Sequence, residues 1–217
     1  MKMNITELVF ILDMSGSMEH LTDDTIGGFN SMLKEQAEKE GEVLVTTYLF
    51  NNDSKMIHDR AAISTISPMT SKDYRASGCT ALLDAIGGAI HHIVGIHRYA
   101  RKEDIPDHTV FVITTDGMEN ASHHYSAERV KEMIRHEKEK YGWEFIFLAA
   151  NIDAVETARG IGIDADHAID YVPDSCGAAM SYATMNRAVG NVRSGARLSA
   201  DLSWRKKADE DFQKRRK

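Results

Sequence analysis

The chain has 217 residues, a formal net charge of −7 and a hydrophobic fraction of 42%. This length and composition are enough to bury a core in one domain, and they exclude a disordered chain. The negative charge argues against nucleic acid as the main partner, because phosphate binding depends largely on positive charge. The two cysteines are too few for a disulfide framework, which predicts a reduced, intracellular setting.

The start of the sequence predicts neither a signal peptide nor a membrane anchor. Its apolar run, Leu8–Leu12, follows Glu7 and is ended by Asp13, so it is too short for the core of a signal peptide. No apolar stretch approaches the length of a membrane-spanning helix. We therefore expect a cytoplasmic protein that does not associate with membranes.

Short apolar runs alternate with amphipathic helical segments, which is the pattern of a parallel sheet covered on both faces. The turn chemistry after the second run predicts an antiparallel return strand. In chain order, the predicted elements are a strand at 8–12, a helix at 24–39, a strand at 43–50, an edge strand at 55–60, a helix at 81–99, a strand at 109–115, a helix at 126–141, a strand at 144–150, a short helix at 154–160 and a strand at 168–172. The sequence predicts a three-layer α/β fold, Rossmann-like, with an open and mostly parallel sheet.

The last part of the chain has a different composition. Residues 174–217 are polar and rich in alanine, and they lack a strong apolar stripe after Val192. Residues 205–217 carry seven basic and three acidic side chains, which gives this tail a charge of +4. We expect a domain over residues 1–173 and a helical extension over 174–217 that ends in the basic tail.

Nucleic-acid binding through this tail is one alternative function. Acidic residues interrupt the basic ones, and no RNA-binding motif or phosphate-binding loop accompanies them. Basic residues at the end of a helix also favour its dipole. A solvated helix end, or a docking site for an acidic partner, explains the tail better.

Carboxylates and hydroxyls occur in three separated segments where predicted elements meet. Asp13, Ser15 and Ser17 follow the first strand, Thr80 precedes a helix, and Asp116 follows a later buried strand. Ligands in such sheets lie beyond the carboxyl ends of strands, where the strand order reverses. The three segments converge if the Asp13 and Asp116 strands are neighbours. Hard oxygen ligands suit Mg²⁺ or Mn²⁺, whereas a zinc site would use Cys or His.

Each of these features also has a simpler interpretation. Aspartate followed by serines is a common turn and helix-cap pattern. Scattered histidines, such as His123 and His124 after Asp116, are more typical of a surface than of a zinc site. Cys79, beside Thr80, is either a redox-sensitive thiol or a small buried side chain, and the second fits better because only the nearby helix start would activate it.

The same residues carry a resemblance to a known family. Over about residues 5–172 the chain resembles the von Willebrand factor type A domain, whose metal-ion-dependent adhesion site combines a DxSxS loop, a threonine and an aspartate from three loops. The matching positions are Asp13, Ser15 and Ser17 in the first loop, Thr80 in the second and Asp116 in the third. The similarity is greatest to stand-alone bacterial members without attached adhesion modules.

The resemblance implies a metal-dependent protein-interaction module rather than an enzyme. Ser15 and Ser17 would ligate Mg²⁺ or Mn²⁺ directly, and the other three residues would do so directly or through water. An Asp or Glu of a protein partner would supply the missing ligand. The expected partner-binding rim consists of Met14, Met18, Glu19, Cys79, Met118, Glu119, Asn120 and His123. Its methionines either pack in the core or form an adaptable apolar surface around the site.

A Mg²⁺-dependent phosphohydrolase of the haloacid-dehalogenase type is the other alternative. Such enzymes also have an aspartate nucleophile at the end of the first strand, but a second aspartate two residues later acts as general acid and base. Ser15 occupies that position here, and a serine hydroxyl does not titrate near the working pH. The sequence therefore favours a binding module.

Overall fold

A six-stranded sheet organises residues 4–215, which are the residues that the computed structural model describes. Its strands are β1 (Ile5–Asp13), β2 (Glu42–Phe50), β3 (Ser54–Ala62), β4 (His108–Thr115), β5 (Glu144–Ala149) and β6 (Ala168–Asp170). The order in the sheet is β3-β2-β1-β4-β5-β6. The β2–β3 pair is antiparallel and the other four pairs are parallel. This confirms the predicted sheet with its antiparallel edge strand.

Helices cover both faces of the sheet. They are α1 (Thr22–Ala37), α2 (Leu82–Tyr99), α3 (Ala127–Tyr141), α4 (Ala154–Gly160), α5 (Ser175–Arg193) and α6 (Lys206–Arg215). Buried side chains of α1, α5 and α6 belong to one apolar core, and those of α2, α3 and α4 belong to a second core. Successive strand residues point to opposite faces, so Phe10 lies in the first core and Ile11 in the second. The three-layer α/β prediction is confirmed.

Most boundaries lie within two or three residues of those predicted. The first helix begins at Thr22 because a 3₁₀ turn, Gly16–Leu21, leads directly into it. The last strand stops at Asp170, two residues early, shortly before Pro173, which has no N–H for a ladder. None of the helices in residues 4–215 is long and apolar enough to cross a membrane.

Helix α5 packs against α1 and contributes to the first core. Met185 and Val189 are fully buried, and Tyr182 lies over Gly28, where an added Cβ would be 2.1 Å from the tyrosine ring. Arg193 donates to the Gln36 carbonyl at 2.6 Å and so caps the end of α1.

The division of the chain at residue 173 stays a prediction. The last two residues of the basic tail lie outside the described residues.

The centre of the sheet contains the point where the strand order reverses. β1 pairs in parallel with β2 on one side and with β4 on the other. Leu12 lies opposite Thr114 in this register. The loops that follow β1 and β4 therefore leave the same edge of the sheet side by side, as expected for the two strands that precede Asp13 and Asp116.

Candidate metal centre

Asp13 is the last residue of β1 and its side chain is held from two sides. The residue is fully buried. Its Oδ1 accepts a hydrogen bond from the Ser15 backbone N–H at 2.7 Å, an Asx turn that fixes the start of the loop. Its Oδ2 accepts from the Thr115 hydroxyl at 2.6 Å. The Tyr74 hydroxyl donates to the Asp13 carbonyl. The carboxylate is therefore fixed relative to both central strands.

Ser15, Ser17 and Asp116 form a continuous chain of oxygen atoms. The two serine hydroxyl oxygens are 3.1 Å apart. The Ser17 hydroxyl donates to Oδ1 of Asp116 at 2.5 Å. The other carboxylate oxygen of Asp116, Oδ2, is buried and has no hydrogen-bond partner among the described residues. Such an unsatisfied buried acceptor costs free energy, which a bound cation would recover.

Thr80 reaches the same place from the loop before α2. A Cβ added at Gly117 would lie 3.2 Å from the Thr80 hydroxyl oxygen and 3.5 Å from that of Ser17. The glycine at this position therefore keeps the centre open. Asn120 holds Thr80 in place, because its Oδ1 accepts from the Thr80 N–H at 2.9 Å and its own N–H donates to the Thr80 carbonyl at 3.1 Å.

The electrostatics of this centre favour a cation. Burial raises the pKa of Asp13 above its usual value, and the nearby Asp116 charge adds to this, against hydrogen bonds from Thr115 and Ser15. Neither Asp13 nor Asp116 forms an ion pair with a basic side chain in residues 4–215. Two buried carboxylates thus lie close together without a counter-charge. The surrounding donors are oxygens, which fit Mg²⁺ or Mn²⁺.

The loop after Asp116 is fastened to the start of α2. Glu119 accepts from the Leu83 N–H at 2.9 Å, and also from the Ala121 and Ser122 backbones. In return, Asp84 accepts from three backbone N–H groups at 2.8 to 2.9 Å, those of His123, His124 and Tyr125. Burial alone would raise the pKa of Asp84, but these three donors outweigh it and hold the pKa below its usual value.

The predicted rim residues differ in what they can offer a partner. Met118 is 72% exposed. Glu19, Asn120 and His123 are exposed, and Met14 is half-buried. Glu119 is half-buried and occupied by its hydrogen bonds to α2 and the loop, so its carboxylate is committed within the chain.

Two expectations about this rim need correction. Met18 is only 2% exposed and belongs to the first core, because the 3₁₀ turn that follows Ser15 turns its side chain inward. Cys79 was expected to be a small buried side chain, but it is exposed. Its backbone N–H donates to Asn52 Oδ1 at 2.9 Å, which leaves the thiol at the surface.

Sequence reasoning did not identify several residues that shape the centre. Thr115 orients Asp13, and its place directly before Asp116 is a signal that could have been used. Asn52 holds the second loop through Cys79. Gly78 has a φ of +78°, and a Cβ there would lie 2.1 Å from Asn52 Oδ1. This glycine is required both for the left-handed backbone and for the close approach.

No protein-family model matches this sequence, and neither does any curated protein. Solved structures do match over most of the chain. Proximal thread matrix protein 1 from the mussel byssus, with a zinc-occupied MIDAS motif, has a TM-score of 0.58 and 13% identity, over 86% of this chain and 46% of that chain. The vWF domain of the type V pili tip protein Mfa5 from Porphyromonas gingivalis has a TM-score of 0.59 and 8% identity, over 87% and 96%.

A von Willebrand factor type A structure from Catenulispora acidiphila matches with a TM-score of 0.55 and 14% identity, over 83% of this chain and 41% of that chain. The match thus covers less than half of the mussel and Catenulispora chains, and nearly all of the vWF domain of Mfa5. At these identities the likeness establishes a shared fold.

Proposed function

We propose that this chain, which has the von Willebrand factor type A fold, is a metal-dependent protein-interaction module. Its metal ligands would be Asp13, Ser15, Ser17, Thr80 and Asp116, and the ion would be Mg²⁺ or Mn²⁺. The observation that carries this proposal is the buried, unpartnered Oδ2 of Asp116 at the end of a chain of hydroxyl oxygens. When bound, the ion would supply an electrophilic centre to which a carboxylate can attach.

The chemistry of the ligands supports the partner class. Mg²⁺ takes six oxygen ligands in near-octahedral geometry and keeps several waters. Three neutral hydroxyls and two carboxylates leave the ion electrophilic, and a water position remains for a ligand from outside. An Asp or Glu of a protein partner is the side chain that fits this position. The zinc-occupied motif of the mussel protein supports a divalent ion at the equivalent place.

The surface around the centre also supports a protein partner. Met118 presents an apolar side chain that is 72% exposed. Asn120, His123, Glu19 and Cys79 add exposed polar groups on the same loops as the proposed ligands. A flexible apolar contact beside polar groups suits recognition of another protein.

We further propose that the chain is not an enzyme. Ser15 occupies the place where a phosphohydrolase of the haloacid-dehalogenase type needs an aspartate, and its hydroxyl lies beside that of Ser17. A general acid and base must titrate near the working pH, which a serine does not. We also propose that the protein is bacterial and cytoplasmic.

Two arginines at the ends of α6 are engaged within the chain, which weakens the case for nucleic-acid binding through them. Arg205 is paired with Asp209 at 2.8 Å, and Arg215 is paired with Asp174 at 2.5 Å and Asp211 at 3.3 Å. These arginines are therefore neutralised by carboxylates of the same chain. An arginine in this state offers less to a phosphate backbone than a free one.

Metal-dependent capture of a partner from the native host tests this proposal. Wild-type protein should retain the partner in Mn²⁺ and release it in EDTA. Asp13→Ala should fail to retain it in either condition, whereas the matched control Glu210→Ala, which changes an exposed carboxylate on α6, should behave like wild type. Retention of the same partner by Asp13→Ala, or in EDTA, would contradict the proposal.

A further inference from the structure

His167 is a buried histidine whose ring is unsatisfied. The residue is 3% exposed, and neither ring nitrogen has a hydrogen-bond partner among the described residues. The nearest carboxylate oxygens are those of Asp166, 3.8 Å from Nε2, and Glu144, 3.8 Å from Nδ1. A buried imidazole without a partner costs free energy unless a ligand satisfies it.

The local backbone brings two carboxylates to this ring. Ala165–His167 is a single 3₁₀ turn, closed by a hydrogen bond from the His167 N–H to the Asp164 carbonyl at 2.9 Å. Residues three apart are eclipsed in a 3₁₀ turn, so Asp164 and His167 lie on one side. One ligand atom each of Asp164, Asp166 and His167 lies within 4.8 Å of the others.

We propose that Asp164, Asp166 and His167 form a second metal site, for a divalent transition-metal ion such as Zn²⁺. One imidazole nitrogen and two carboxylate oxygens are three protein ligands of the kind that zinc accepts, with water in the fourth position. Small rotations of the two aspartates, which are both at least partly exposed, would bring their oxygens to ligand distance. Mg²⁺ prefers oxygen ligands alone and is the weaker candidate here.

The groups around the ring are suited to this role. The Glu144 Oε2 atom is 3.8 Å from Nδ1, which is too far for a hydrogen bond, but a small movement of the glutamate would let it accept the Nδ1 proton. That arrangement leaves Nε2 for the metal, as in carboxylate–histidine–metal triads.

Lys138 is the natural competitor for the ion. Its ammonium nitrogen is 2.6 Å from Asp164 Oδ2, so it already neutralises one of the proposed ligands. A bound Zn²⁺ would have to displace this ammonium. Removal of the lysine charge should therefore strengthen metal binding, which a purely structural ion pair does not predict.

This second site lies toward the amino-terminal ends of the parallel strands, whereas the candidate metal centre lies at their carboxyl ends. Glu144 is the first residue of β5, and His167 directly precedes β6, whereas Asp13 ends β1 and Asp116 directly follows β4. Arg205 Nη1 donates to the Ala165 carbonyl at 3.1 Å, so an ion here would also brace the contact between this turn and the C-terminal segment.

Zinc titration of a full-length variant without the first centre isolates this site. The background carries Ser15→Ala, Ser17→Ala and Asp116→Asn. We expect the two ring ¹⁵N resonances of His167 to shift with Zn²⁺ and to stop shifting after one equivalent, and to stay in place with Mg²⁺. His167→Gln identifies these resonances. Unchanged His167 resonances at saturating Zn²⁺ would overturn the proposal.

Conservative changes of the carboxylates give a second test, which does not require that a His167 variant folds. Asp166→Asn in the same background should weaken Zn²⁺ binding about tenfold or more, because even outer-shell changes cost 10- to 100-fold in metal affinity. Lys138→Gln should strengthen binding several-fold, and the exposed control Glu210→Gln should leave it unchanged. Equal Zn²⁺ affinity in the background variant and in Asp166→Asn would also overturn the proposal.

Discussion

The hydroxyl of Ser17 donates to Oδ1 of Asp116 at 2.5 Å, although the two residues are 99 positions apart in the chain. This contact exists because β1 and β4 are neighbours, with Leu12 opposite Thr114. The loops after the two strands share one chain of oxygen atoms, and Thr80 joins it beside Gly117. The centre therefore depends on the order of the strands as much as on the identity of the ligands.

We predict that Asp13→Asn raises the melting temperature of the protein in EDTA and abolishes its response to Mg²⁺. Burial raises the pKa of Asp13, so its contribution to stability is complete below pH 3.8 and is lost as the pH rises through the folded-state pKa. At neutral pH the ionised group therefore opposes folding. Asparagine is neutral and keeps an oxygen for the Ser15 N–H. Thermal unfolding followed by circular dichroism, with and without Mg²⁺, measures both effects. A lower melting temperature of the variant in EDTA would contradict this explanation.

Asp84→Asn should destabilise the protein by about 1–3 kcal/mol, because it leaves one of three backbone donors without an acceptor. Urea unfolding measures the change. Asp104→Asn is the control, since it alters an exposed pair with Arg101, and exposed ion pairs contribute little to stability.

The effect of Asp84→Asn on the free energy of unfolding should depend on pH. The pKa of Asp84 is held below 3.8, so its stabilising contribution is present above that pH and is lost as the pH falls through the folded-state pKa. The difference in unfolding free energy between wild type and Asp84→Asn should be constant above about pH 5 and shrink below pH 3.8. A difference that stays constant into the more acidic range would show that the charge of Asp84 does not carry its effect.

Much of this fold could be predicted from the sequence, because each strand and its loop chemistry are local. The apolar run Leu8–Leu12 and the later run before Asp116 are long enough to be buried on both faces, which defines a parallel sheet. Turn residues 51–53 likewise defined the antiparallel edge. The placement of Asp13 and Asp116 at one end of the strands follows from the strand order, which the sequence left open and which the pairing of β1 with β4 establishes.

The parts that could not be predicted depend on long-range contacts. Glu119 was expected in the partner-binding rim, but its carboxylate accepts from the Leu83 N–H, 36 residues away. Met18 is buried because a 3₁₀ turn replaces the expected loop. The C-terminal part has only a weak apolar pattern, yet it contributes Tyr182 to the core. The Tyr182 ring fits there because Gly28 of α1 has no side chain beneath it. Hydropathy patterns do not contain this information.

We predict that generic phosphoesters with Mg²⁺ turn over no faster with the protein than without it. Asp13 has no second carboxylate two residues later, and Ser15 cannot act as the general acid. A sensitive colorimetric assay with p-nitrophenyl phosphate is sufficient. Activity that disappears in Asp13→Asn would overturn the proposal that the chain is not an enzyme, whereas activity that persists in this variant points to a contaminant.

The partner should present one essential Asp or Glu, bordered by apolar surface that meets Met118. EDTA, Thr80→Ala and loss of the partner's acid should each weaken binding by a similar amount. Combining them should add little, because each of the three changes removes the same bond, the one between the metal ion and the partner's carboxylate. Dissociation constants for the full set of combinations give the coupling directly. Additive losses would show that the acid and the metal act at separate places.

The most direct test of the account is whether a divalent cation stabilises the protein through the five proposed ligands. Mg²⁺ at ten times its dissociation constant should add about 1.4 kcal/mol of stability, which raises the melting temperature by about 3 to 6 °C. The double variant Ser15→Ala, Ser17→Ala should lose this shift, and Ser64→Ala, Ser67→Ala, which changes two exposed serines outside the centre, should keep it. An equal shift in the first double variant and the wild type would contradict the proposed metal centre.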